Sequence, residues 1–387
     1  MVGQSFAADV STRERPPVGP GLGRLGKLRG VMSSPADRLR ARIIENGPIP
    51  FSEFMEEALY GDSGYYARED LPIGKEGDFV TGSSLSHLFG HSTARLLERL
   101  DEALGVTADY LEAGYGAAVH LGHVVGALDH VSERRLMGWD RIPRRVPVGV
   151  EQLDDLGSLP SEGVTGMIFS YELFDALPVH RLVGLEGGEV GELWVDVDEG
   201  TFSYCQKELS SPDLVTMLSE METDLSPGQV ADLSVDWRPL YRRLASSLER
   251  GILVTCDYGF ERQRLLDSRI RMEGTLACYR SQQVHRNALA DVGGQDLSAH
   301  VDFTTLREEG ERAGLETIAL TRQASWLVSC GIFEGLAQVS QQDRVDAMTL
   351  LDPGGMGDEI RVLVQSKGVA PDSLFEVALT GPHPPIQ

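Results

Sequence analysis

The sequence predicts an α/β protein: a mostly parallel sheet covered by helices on both faces, preceded by a helical region and interrupted by an insertion. Three observations carry that reading. Short apolar runs rich in β-branched residues recur along the chain, separated by segments long enough to hold crossover connections. The runs tend to end in polar or glycine-containing text, as strands do where a parallel sheet presents its carboxyl edge. No internal repeat interrupts the alternation, so the text reads as one decorated domain and not as two folding units.

Residues 1–33 come first and differ from the rest. "STRERPPVGPGLGRLGKLRG" is rich in Gly, Pro and Arg and has no apolar period, so a disordered basic tail is expected. The alternatives are an upstream extension of a chain that naturally starts at Met32, or a targeting peptide whose amphipathic helix Pro and Gly would spoil. Residues 34–108 form a helical region. "SPADRLRARIIENGPIPFSEFMEEALYG" gives two amphipathic helices broken at Gly47–Pro48, the second capped by Ser52. "SSLSHLFGHSTARLLERLDEAL" gives one longer helix.

The sheet occupies residues 109–368. "DYLEA", "RLMGW", "VPVGV", "GMIFS" and "GILVTCDYG" read as buried strands, and "LETIALTRQ" and "EIRVLVQSKG" as the last two. An insertion at about 181–245 contains "RLVGLEGGEVGELWVDVDEGTFSYCQ", whose alternation around Gly–Gly and Glu–Gly turns reads as an antiparallel hairpin followed by helical text. Residues 369–387 are a terminal tail.

Composition narrows the function. A net charge of −24 argues against broad binding to nucleic acid or anionic lipid, both of which need concentrated Lys and Arg. It leaves room for an Arg-rich partner. No apolar run reaches the roughly 20 residues of a membrane span. Cys205, Cys256, Cys278 and Cys330 are scattered without a CxxC pair, which argues against a zinc site or disulfide framework and suggests a reducing cytoplasm. GxSxG, Walker, HExxH and CxxC motifs are absent from the sequence, removing the commonest hydrolase, NTPase and metalloenzyme readings.

The candidate chemistry lies at the strand ends. After "DYL" come Glu112, Gly114 and Gly116, a turn that lets backbone approach a ligand closely. Asp140 ends the next strand, where an ionised carboxylate can accept from both ribose hydroxyls; an exposed loop acid paired with an arginine is the plainer alternative. In "IFSYELFDALPVHR", Glu172 and Asp175 follow a strand and can orient an amine or take its proton, or else complement a helix dipole. Asp257 and Tyr258 end another strand. "KEGDFVTGSS" places Gly77, Asp78 and Phe79 in a loop before the long helix, where Phe79 can cover a purine or simply join the core. His180 is a weak candidate base, since a satisfied structural histidine is the commoner case. No metal-ligand cluster stands out.

Taken together, "IIENGPIPFSEFMEEALYGDSGYY", "GDFVTGSSLSHLFG", "YLEAGYGAAVHL", "ELFDALPVHR", "CDYGF", "GGQDLSAHVDFTTL" and "LLDPGGMGDEIRVLVQSKG" resemble, in order, the MidA family of S-adenosylmethionine-dependent methyltransferases. Mitochondrial members of that family assist respiratory complex I assembly and are associated with symmetric dimethylation of an arginine. The resemblance implies a Rossmann-like class I methyltransferase fold with S-adenosyl-L-methionine as cofactor. It implies that Gly77, Asp78 and Phe79 close over the cofactor, that Glu112, Gly114 and Gly116 shape its site, and that Asp140 holds the ribose. Glu172 and Asp175 would face the acceptor, with Tyr171 beside them.

The chain also departs from the family pattern. Tyr115 and Ala118 stand where the glycine loop usually has proline and its third glycine, and Tyr171 replaces an Asn. Gly82, Ser83, Ser84, Leu85 and Ser86 replace Ala-Pro-Glu-Ile-Ser, and a His that commonly follows "YR" is replaced in "CYRSQQ". Three readings follow: a methyltransferase acting on a protein side chain, one repurposed for a small-molecule acceptor, and a cofactor-binding assembly factor that transfers no methyl.

Overall fold

A computed structural model describes residues 34–68, 81–158, 163–221, 224–370 and 374–375. Gly77, Asp78 and Phe79, and the tail at 1–33, lie outside the described residues.

Helix α1 (Pro35–Asn46) starts at Ser34, whose hydroxyl accepts from Asp37 N–H, and ends at Gly47 in a conformation with φ of 86°. Helix α2 (Phe51–Tyr60) follows Pro50. Ser52 is not its cap: it sits inside the first turn, with its hydroxyl 3.4 Å from His180 Nδ1. The expected long helix is two pieces, Gly82–Leu85 and α3 (His87–Leu104). Ser86 divides them because its backbone is extended and its hydroxyl caps Leu88 N–H.

The sheet then begins with β1 (Asp109–Ala113), followed by α4 (Val119–Ala127), β2 (Leu136–Trp139), β3 (Val150–Leu153) and β4 (Val164–Tyr171). "VPVGV" is not itself the third strand. Gly149 turns there with φ of 90°, and pairing starts at Val150. After the insertion come α5 (Trp237–Ser247), β5 (Leu248–Phe260), α6 (Phe303–Arg312), β6 (Glu316–Arg322) and β7 (Ile360–Lys367).

The strand order is β3-β2-β1-β4-β5-β7-β6, with Val301–Asp302 added beside the end of β5. All seven run parallel except β7, which is antiparallel to both neighbours. The chain winds outward from β1 to β3, then crosses back to β4. The carboxyl ends of β1 and β4 therefore flank the point where winding reverses, which is where such sheets bind ligands. Side-chain alternation sorts the core onto two faces. Leu111, Ile168, Leu253 and Leu363 meet Trp237, Tyr241 and Phe303 on one side. Tyr110, Phe169, Val254 and Val364 meet Phe89, Leu97, Leu121 and Trp326 on the other.

The insertion is more than a hairpin. Strands His180–Gly184, Val190–Asp198, Thr201–Lys207 and Val230–Leu233 form an antiparallel sheet that also takes Ile49–Pro50. A strand thus lies inside text that reads as helical. A further small sheet, Ala277–Arg280, Gln283–His285 and Asp296–Ser298, leaves no clear alternation in the sequence. The described residues form one compact unit. Among the described residues no helix is long and apolar enough to cross a membrane.

Candidate active site

A cavity of about 220 Å³ opens at the carboxyl ends of β1, β2 and β4. Its first wall is the glycine loop. Gly114 and Gly116 adopt φ of 77° and 52°, and a Cβ on Gly116 would meet nothing within 4 Å, so the loop leaves space above itself. Asp140 draws the loop toward β2: its carboxylate accepts from Gly116 N–H at 2.8 Å and from Ile142 N–H at 2.9 Å. Burial raises its pKa, against the lowering effect of those two donors.

Glu112 is buried and held by three side chains in a row. Tyr110 donates to its Oε2 at 2.8 Å, His120 Nδ1 lies 2.9 Å from the same oxygen, and Thr93 Oγ1 lies 3.2 Å from His120 Nε2. His120 lines the cavity and stacks on Phe169. His120 carries no marker in the sequence beyond its place in the helix after the loop.

The two departures in the loop have definite positions. Tyr115 does not plug the cavity: it lines the wall, its ring lies against Gly138, and its hydroxyl both donates to Arg144 C=O and accepts from Arg144 N–H. Ala118 caps α4 with φ of 58°, a left-handed conformation that costs an L-residue about 1–2 kcal/mol.

The opposite wall is acidic. Glu172 follows β4 with φ of 49°, a strained value for glutamate, while its N–H extends the ladder to Cys256 C=O. Its Oε1 is buried and has no hydrogen-bond partner among the described residues. Burial, then Asp175, then Asp296 push its pKa well above the carboxylate range, and the Gly82 N–H opposes them. Asp175 accepts from Ser298 Oγ at 2.8 Å, and burial raises its pKa to about 6. Asp296 accepts from Tyr66 OH at 2.8 Å. Tyr66 stacks on Tyr60, whose hydroxyl bonds Ala176 C=O and whose ring carries the Arg141 guanidinium at 4.0 Å.

Asp257 lies beneath this wall. Completely buried, it accepts from Phe174 N–H at 2.9 Å and fixes the loop that carries Glu172 and Asp175. Trp237 Nε1 holds the same loop through Phe174 C=O.

The structure thus gathers Glu112, Gly114, Gly116, Asp140, Tyr171, Glu172 and Asp175 around one cavity. Tyr171 lines the same cavity, and its hydroxyl donates to Gln323 Oε1 at 2.7 Å. His180 does not reach the cavity. It lies in the antiparallel sheet, buried, with Nδ1 2.7 Å from Glu192. Tyr60, Tyr66 and Asp296 also line the cavity; no single-strand signal marks them, although all three fall in segments that carry the family resemblance.

This fold and this strand-end cradle define a class: the S-adenosyl-L-methionine-dependent methyltransferases. A family of that description matches residues 116–321, more than half of the chain, and the chain belongs to it. The resemblance to the MidA family therefore holds. The chain is 25% identical to the mitochondrial protein arginine methyltransferase NDUFAF7 homolog of Drosophila melanogaster, covering 92% of this chain and 90% of that one. It is 26% identical to the mitochondrial NDUFAF7 of Xenopus tropicalis, covering 69% and 68%. A crystal structure from Burkholderia thailandensis, bound to S-adenosyl-homocysteine, superposes with a TM-score of 0.76 at 26% identity, covering 87% of this chain and 92% of that one.

These relatives correct one expectation. A cytoplasmic location does not stand against curated relatives that are mitochondrial. All four cysteines are free, but free cysteines point to a reducing environment and do not single out one compartment.

Proposed function

We propose that this methyltransferase acts on an arginine side chain of a protein acceptor. The observation that carries the reading is the acidic wall: Glu172, Asp175 and Asp296 line one end of the cavity beside the Tyr60–Tyr66 pair, and Glu172 Oε1 has no hydrogen-bond partner among the described residues. Carboxylates and aromatic faces together suit a planar cation, which a guanidinium is. The relatives named as protein arginine methyltransferases point the same way.

The cofactor end fits an adenosyl group. The open space over Gly116 admits a ligand against backbone, and Asp140 retains a lone pair on each oxygen for a ribose hydroxyl. Bound S-adenosyl-L-methionine supplies an electrophilic methyl on a sulfonium. The protein positions the acceptor and handles its proton. Glu172 and Asp175 accept guanidinium N–H groups and hold the nitrogen in line. Asp175, with its pKa raised to about 6, is ionised at neutral pH and takes the proton that the methylated nitrogen releases.

The test is incubation of the purified protein with methyl-labelled S-adenosylmethionine and arginine peptides, lysine peptides or small amines. Label on the arginine peptide alone supports the reading. Label confined to a small molecule overturns it in favour of a repurposed enzyme.

A further inference from the structure

A second charged cluster stands outside the cavity, at the end of β5. Three guanidinium groups crowd the ring of Phe260: Arg264 at 4.7 Å, Arg271 at 4.5 Å and Arg361 at 5.1 Å from its centroid. His300 packs against the same ring at 5.5 Å. Arg264 Nε, Arg271 Nε and His300 Nδ1 are buried and have no hydrogen-bond partners among the described residues. Among the described residues no carboxylate pairs with Arg264 or Arg271. The nearby Asp358 bonds Arg322 through its carboxylate at 2.8 Å; it gives Arg361 its main-chain carbonyl and partly opposes the lowering of the Arg361 pKa. Glu273 stands 3.7 Å from Arg286 at the exposed rim.

The cations feel one another. Burial, then Arg264 and Arg286, lower the pKa of Arg271. Burial, then Arg322 and Arg264, bring Arg361 down to about 10. One aromatic face is worth about 0.5–2 kcal/mol to a cation and cannot offset three of them in mutual repulsion. In a chain of net charge −24, a cluster of guanidinium forks only partly offset by Asp358 is an arrangement that an oxyanion relieves.

Its position suggests which oxyanion. Arg361 is the cross-strand partner of Asp257, the residue that fixes the loop bearing Glu172 and Asp175. Phe260 lies three residues beyond Asp257 on the same strand. Building on the protein-acceptor reading, we propose that Arg264, Arg271 and Arg361 form a cradle for the carboxylates of an acidic stretch in the acceptor, flanking the arginine to be methylated.

The test uses the full chain and two short fluorescein-labelled peptides. Each contains one arginine, flanked in one peptide by Asp and Glu and in the other by Asn and Gln. Anisotropy should show the acidic peptide bound about tenfold or more tightly than the neutral one, the scale of a charge-assisted hydrogen bond. The double variant Arg264→Gln/Arg271→Gln should erase that preference, raising KM for the acidic peptide and leaving kcat and cofactor affinity unchanged. Its Tm should hold or rise, because repulsion is removed; a cluster that merely props Phe260 would lose Tm and leave the preference intact. The cradle is overturned by a wild type without preference, by a variant that keeps it, or by inorganic phosphate binding where the acidic peptide does not. Anisotropy reads docking without turnover, so a peptide that docks and is never methylated sinks the arginine-acceptor reading alone.

Discussion

Replacing Asp175 by Asn should make the protein more stable and less active. Asp175 is buried, and its pKa stands at about 6 against 3.8 when unburied. The unfolded chain therefore ionises at lower pH than the folded one, and stability falls as pH rises through that interval. At about 1.4 kcal/mol per pH unit, the difference amounts to about 3 kcal/mol of destabilisation at neutral pH. Asn removes the charge and can still accept from Ser298 Oγ, the donor at 2.8 Å. One backbone donor, Asp175 N–H or Ala176 N–H, then faces an amide NH2, which costs about 1 kcal/mol. The net gain is about 2 kcal/mol. For a folded unit of this size, an unfolding entropy of about 2.1 cal/mol/K per residue converts that to about 3 °C in Tm. Calorimetric melts without cofactor should show the variant about 3 °C higher at pH 8, converging with the wild type at about pH 4.5, where the remaining ionisation penalty of about 1 kcal/mol equals the cost of the amide. Methyl transfer should fall while cofactor binding persists. A variant that melts lower at pH 8 would refute the idea that Asp175 is an uncompensated charge held for function.

Three further outcomes are expected. Asp140→Asn should weaken S-adenosylmethionine by about tenfold or more in calorimetry, since it loses a charged acceptor for the ribose and loosens the hold on Gly116 N–H; unchanged affinity removes Asp140 from the site. Ala118→Gly should gain about 0.5 kcal/mol in urea unfolding, because relief of a left-handed alanine outweighs the added freedom of the unfolded chain. A loss would mean that the methyl packs better than the backbone is strained. His180→Gln should leave transfer intact and lower Tm by a few degrees, because Glu192 loses its buried partner at 2.7 Å. Slowed transfer at full stability would return His180 to the chemistry.

What the sequence showed of the fold follows from the range of each signal. Six of the seven strands of the main sheet are visible in the text, most plainly where a doubly covered strand is apolar on both faces, as in "GMIFS" and "GILVTCDYG". Third-strand pairing slipped to Val150 because apolar text and backbone pairing part company at Pro147 and Gly149. Ser86 divided a helix whose side-chain period runs straight through it; only backbone geometry shows the break. The insertion is larger than its text suggests because Val230–Leu233 is a short run whose partner, His180–Gly184, is distant in sequence, so the turn at Pro227–Gly228 opens a strand that no neighbouring run announces.

The site was legible where one residue follows one strand, which found Asp140, Glu172 and Asp175. It was not legible where a feature exists only as a sum over distant segments. The acidic wall joins Tyr60, Tyr66, Glu172, Asp175 and Asp296, and the arginine cluster joins Arg264, Arg271 and Arg361. Each cluster is unfavourable alone, since like charges are crowded and partly dry. They are also opposite in sign, and both lie at the carboxyl edge of one sheet, tied through the Asp257–Arg361 pairing of β5 with β7. A ligand carrying a cation and an anion at matching separation relieves both at once, whereas a free amine relieves only the first. The same electrostatic costs that lower the stability of the free protein therefore favour an acceptor with arginine and acid in one chain over any smaller cation, and binding such a peptide should raise Tm beyond what either charge achieves on its own.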